Sequence, residues 1–287
     1  MDPTPATTAP AALAQDVLHA LGKTCFGTPA GNGAWADSLT PAWMAVRAWI
    51  LALHISGLTV TRAHRLTEHR LRQLLHLREH TGIHLTLLWH TRPTPTLRQL
   101  LAGIDHHTTR TLTTPTGTGT TTDRRPPRMS FPWLDPPQSL PGLAVPRARR
   151  SPCQGVEPLP RLARPGTPAS DGHAELADRL HTLAHPLHAA ALTTTLLTGA
   201  GPARLALIRG TDVHPDGTHV KVHDPHTHHR CRIHALPAWA HTLITAAHHH
   251  HQDTSRPPTS ALYPLITARD AATLTEHATS IHIRLPH

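Results

Sequence analysis

Residues 106–172 set the first constraint on what this chain can fold into. The run TTRTLTTPTGTGTTTDRRPPR is of low complexity, and the following PPQSLPGLAVPRARRSPCQGVEPLPRLARPGTP is rich in proline and arginine. Proline removes backbone donors and few of these side chains are apolar, so the stretch cannot build a packed core and reads as a linker. Phe131, Trp133 and Leu134 are its candidates for docking on a neighbour. Its arginines, Arg124, Arg125, Arg128, Arg147, Arg149 and Arg150, suit phosphate contacts and equally suit a solvated basic linker. The chain is thereby divided into a loosely ordered arm (1–36), a helix-rich unit (37–105), the linker (106–172) and a C-terminal unit (173–287).

Composition agrees with this division. With 38% hydrophobic residues, 3% aromatics and 29 prolines in 287 residues, part of the length stays outside any core. The formal net charge is +9 with all 29 histidines neutral. Such a basic balance attracts nucleic acid, with an affinity that falls steeply as salt rises. The three cysteines, Cys25, Cys153 and Cys231, form no Cys-x-x-Cys pair, and the start lacks a secretory pattern; reduced thiols and a cytoplasmic location are expected. The longest apolar run, from Ala48 to Leu53, falls far short of the roughly 20 residues of a membrane span, so no membrane partner is expected.

In the arm, Ala11 to Leu21 reads as a helix. Beyond it, Thr40 reads as an N-cap and Pro41 as a first-turn residue, and Trp43, Val46, Ile50 and Leu53 recur at helical spacing before Gly57. Thr59 to Thr81 reads as a basic amphipathic helix ended by Gly82, with Glu68 and Arg72 paired at i,i+4. Arg62, Arg65, Arg70 and Arg78 decorate it. Two readings stay open: a helix-turn-helix over 40–81 with Ser56-Gly57-Leu58 as its turn, or two packed helices with a solvated basic face. Ile83 to Trp89 follows as a buried-strand candidate, and Thr96 to Ile104 as a further helix.

In the C-terminal unit, His173 to Ala184 is helical. Pro186 opens the next helix, 186–198, which Gly199 ends, and Pro202 opens another, 202–209, with Gly210 in a left-handed conformation past its end. Alternation then replaces the helical period. His219 to His223 forms a strand after the Pro215-Asp216-Gly217 turn, and Arg230 to His234 supplies its antiparallel partner. A helix from Pro237 to His251 closes the stretch; Trp239, Leu243, Ile244 and Ala247 face its core, and the four histidines from His248 on lie in solvent.

The order Thr198-Gly199, a helix with Arg209, Asp212-Val213, Asp216-Gly217, a hairpin, Leu236-Pro237, a helix and then Leu262-Tyr263-Pro264 resembles the catalytic domain of the tyrosine recombinases, the phage-integrase family, over about 185–287. In that family the first motif reads Thr-Gly-Leu-Arg, and its arginine contacts the scissile phosphate. Here the corresponding residues are Thr198-Gly199-Ala200-Gly201. The resemblance further implies a hairpin lysine, whose nearest counterpart is His226, with Arg230 as the basic residue that often follows. After Leu262-Tyr263-Pro264 neither the His-x-x-Arg box nor a separate nucleophilic tyrosine of the family follows up to His287, and Tyr263, the single tyrosine, belongs to a different motif.

A glycine offers no guanidinium to a transferring phosphoryl group, so strand cleavage by this chain is not expected. What the resemblance implies is a degenerate, shortened recombinase-like domain in a mixed, helix-rich α/β chain, associated with DNA integration or recombination. Its expected partners are DNA and other recombinase subunits. The DNA-contact candidates are Arg204, Arg209, Lys221, His226, Arg230 and Arg232, with Arg62, Arg65 and Arg70 in the N-terminal unit. A protein-interaction accessory subunit and a helix-turn-helix regulator are the alternatives. Around the hairpin, His226, His228, His229, Cys231 and His234 have ligand chemistry, but histidine is abundant throughout, and neither a metal nor a cofactor is expected.

Overall fold

The computed structural model describes residues 1–4, 9–25, 34–91, 93–109, 156–157, 171–223, 231–254 and 257–263, with two short pieces at 274–275 and 278–279. It is a mixed, helix-rich α/β protein. In chain order the N-terminal part contains α1 (Ala12–Ala20), α2 (Ala34–Asp37), α3 (Leu39–Ala52), β1 (Gly57–Val60), α4 (Glu68–Thr81), β2 (His84–Leu87) and α5 (Pro95–Leu101). Then come β3 (Val156–Glu157), α6 (Asp171–Thr182), α7 (Pro186–Thr198), α8 (Pro202–Leu205), β4 (His219–His223), β5 (Cys231–Ala235) and α9 (Ala238–Asp253).

The two parts share one hydrophobic core. Helix α9 packs against both α3 and α7, and α1 packs on α3. The arm reading fails over α1, because Leu13, Ala14, Val17 and Leu18 are almost wholly buried. On α3 the expected spacing finds Val46 and Ile50, but the buried face is centred on Trp49, which is 0% exposed. Its indole N–H donates to the Ala184 carbonyl at 2.7 Å, satisfying the one polar group that a buried tryptophan carries. The helix begins at Leu39, after Ser38 rather than Thr40.

The expected helix from Thr59 to Thr81 is a strand and a shorter helix. Leu58 and Val60 are buried while Gly57 and Thr59 are exposed, a period-two pattern, and β1 pairs in parallel with β2 from Gly57↔His84 to Val60↔Leu87. Arg62 then takes a left-handed conformation, and α4 starts only after Thr67, whose hydroxyl caps the Arg70 N–H. The interval between α3 and α4 therefore holds a strand instead of a tight turn, and the helix-turn-helix geometry is not made. Strand β2 is half-buried rather than buried.

The second sheet has the order β3-β5-β4. Strands β4 and β5 are antiparallel, as the hairpin reading expects, and β3 adds to β5 in parallel. Apart from Val156–Glu157, the stretch 110–170 lies outside the described residues, as does 224–230. Among the described residues no helix is long and apolar enough to cross a membrane.

Candidate nucleic-acid interface

Helix α7 has the expected bounds, and Gly199 closes it at φ 66°. Gly201 then caps α8, with Pro202 at its first position. That helix stops at Leu205, short of the expected 209, because the following backbone is held from outside. The Leu262 N–H donates to the Ile208 carbonyl at 2.7 Å, Arg209 bridges Ala261, and the N–H groups of Gly210 and Thr211 donate to Ser260 and Pro258. Gly210 is not a left-handed cap. It is required by crowding: a Cβ there would lie 2.7 Å from His251 Cδ2 and 2.9 Å from the Pro258 carbonyl oxygen.

This pinned segment presents Arg204, Leu207 and Arg209 outward. Both arginines are exposed, and Leu207, at 40%, is the one exposed large hydrophobic among the described residues. Asp212 completes the loop: its carboxylate accepts from the Arg209 N–H at 2.9 Å and from His223 Nε2 at 2.8 Å, tying the loop to β4. At the hairpin entrance, hydrogen bonds from Thr218, then the contact with His214, hold the Asp216 carboxyl well below the usual carboxylate range. Gly217 follows at φ 73°, where a Cβ would strike the His241 carbonyl oxygen at 2.4 Å.

Lys221 stands opposite Ile233, and Arg232 opposite Val222, so the two cations occupy opposite faces of the hairpin. Lys221 is half-buried and Arg232 exposed. His226 and Arg230 lie outside the described residues. In the N-terminal part Arg62 is ion-paired with Asp2 at 3.1 Å, Arg65 is exposed in the turn before α4, and Arg70 is half-buried in its first turn. Arg65, Arg204 and Arg209 engage no carboxylate in any ion pair among the described residues.

Tyr263 is 1% exposed, and its hydroxyl is 3.0 Å from Thr194 Oγ1. Burial drives its pKa far up, so it is a core residue with no access to a phosphate. The terminal histidines of α9 also differ from expectation. His250 and His251 are buried, and His248 and His249 half-buried, because the helix runs on to Asp253 and its last turn packs on Gly210 and Ser260. Cys25 is a free thiol, pushed up to about 11 by burial and then by Asp37. Cys231, expected reduced, is disulfide-bonded, and Cys153 lies outside the described residues.

Sequence reasoning missed the Asp212–His223 link and the buried pair at the end of α9. An aspartate two residues after Gly210 and a histidine in an alternating strand carry no pairing signal before the hairpin register is known. No protein-family model matches the chain, and no curated protein or solved structure is significantly similar to it.

Proposed function

We propose that the chain binds DNA through the backbone phosphates and does not itself cleave a strand, as a degenerate relative of the tyrosine recombinases acting in integration or recombination. The observation that carries this reading is the segment from Arg204 to Arg209: two exposed arginines without carboxylate partners flank an exposed leucine, and from Ile208 on the backbone is pinned to 258–262. Guanidinium groups form bidentate phosphate hydrogen bonds, and their planar fork lowers the ordering cost per bond formed. The net charge of +9 supplies the long-range attraction.

Two features support the absence of cleavage. Gly201, where the resemblance calls for an arginine, offers no charge, and Tyr263 is sealed in the core. The succession of α7, α8, the hairpin, α9 and the Leu262-Tyr263 segment supports this reading in its order, with the departure that α8 ends at Leu205 and leaves Arg209 outside a helix.

The test is fluorescence anisotropy of a labelled duplex with the full chain. Arg204→Glu together with Arg209→Glu is expected to weaken binding at low salt by about tenfold or more. Unchanged binding by a folded double variant overturns the assignment of this segment.

A further inference from the structure

We propose that His76, Glu79 and His80 form an open site on α4 for a divalent transition metal such as Zn2+. The three occupy positions i, i+3 and i+4, so they share one helix face. Each offers one ligand atom, and these atoms all lie within 4.8 Å of one another. None has to be uncovered, since all three are exposed.

The donor chemistry is already set for a metal. His80 Nδ1 is 2.7 Å from the His76 carbonyl oxygen. A carbonyl only accepts, so Nδ1 carries the proton and Nε2 keeps its lone pair, the arrangement in which metal-bound imidazoles are held by an outer hydrogen bond. The two rings stack with centroids 5.8 Å apart and planes 24° from parallel. Glu79 Oε2 stands 4.0 Å from His76 Nδ1. Zinc bonds of about 2.0–2.2 Å place ligand atoms roughly 3.3 Å apart, so exposed side chains close on the ion by small rotations.

The helix beneath the site is anchored. Leu74 and Leu77 are buried, Thr81 Oγ1 donates to the Leu77 carbonyl, and Gly82 closes the helix at φ 70°. Two imidazoles with one carboxylate suit zinc, nickel or copper rather than calcium or magnesium, which take oxygen ligands, and water completes the shell. This set is distinct from the histidines of the hairpin, and its i, i+3, i+4 spacing lies in the part of the expected Thr59–Thr81 helix that α4 retains.

A chain with 29 histidines offers imidazoles to zinc elsewhere as well, so the test reads this site locally. Backbone hydrogen exchange over residues 75–83 is followed in the full chain with and without Zn2+, for wild type, His76→Gln with His80→Gln, and His69→Gln. Zinc is expected to slow exchange there by about tenfold in wild type and in His69→Gln, and to have no such effect in the double variant. Glu79→Gln is expected to lie between. Slowing that persists in the double variant, or no slowing in wild type, overturns the proposal; circular dichroism confirms that the exposed substitutions leave the fold intact.

Discussion

The Lys23 ammonium lies 3.4 Å from the centroid of the Trp49 ring, and its Nζ donates to the His181 carbonyl at 2.6 Å. One residue further, the Thr24 N–H donates to the Thr182 carbonyl, and Trp49 itself reaches Ala184. These bonds join the N-terminal helices to the end of α6 and the connection that follows it, across the full length of the intervening stretch. Lys23 and Trp49 are thus the point at which two parts separated in sequence become one core.

Both contacts of Lys23 favour its charged form, yet burial opposes it more strongly and lowers its pKa from 10.5 to about 7. Between those values the unfolded chain binds a proton that the folded chain has shed. Stability therefore rises with pH across that window, by at most about 1.4 kcal/mol per unit for one proton. Urea midpoints of wild type minus Lys23→Met, taken at several pH values, should show this rise; a flat difference contradicts it.

Gly210→Ala should destabilise by about 1–3 kcal/mol, because the new Cβ meets the His251 ring and the Pro258 carbonyl oxygen. Chemical denaturation measures the loss. Gly201→Ala is the sterically open control: nothing lies within 4 Å of a Cβ there, so only the glycine N-cap of α8 is lost and the cost should stay below about 1 kcal/mol.

That open space leaves room for the Cβ of a Gly201→Arg variant, whose fold circular dichroism checks. If phosphates approach this end of α7, the added guanidinium should tighten duplex binding at low salt by several-fold and steepen its salt dependence by about one ion. Equal affinity in a folded variant would place the DNA elsewhere.

Tyr263→Phe should cost about 1 kcal/mol, from the lost bond to Thr194, and leave duplex binding unaltered. A fall in DNA affinity with no fall in stability would mean that the hydroxyl is reached by the ligand.

Much of the C-terminal part was legible in the residues. Pro186 and Gly199 bound α7 because their backbone preferences act locally, and His219 to His223 alternate because one face of β4 is buried. Non-local packing hid the rest. Thr59 to Thr81 carries leucines at helical spacing, but Leu58 and Val60 pair with β2, a partner more than twenty residues away, and that pairing overrides the helical signal. Gly210 reads as a helix end from its neighbours alone, whereas its small size serves His251, which arrives from α9. Of the DNA-contact candidates, Arg204 and Arg209 come together on one segment. Lys221 and Arg232 separate onto opposite faces through a register that no single strand reveals.

The salt dependence of duplex binding tests the central claim most directly. Anisotropy titrations of the full chain between about 50 and 200 mM salt should give a linear fall of log K with log salt, and removing Arg204 and Arg209 should reduce the slope by about two. A slope near zero, or one that those substitutions leave unchanged, would contradict phosphate binding by this segment.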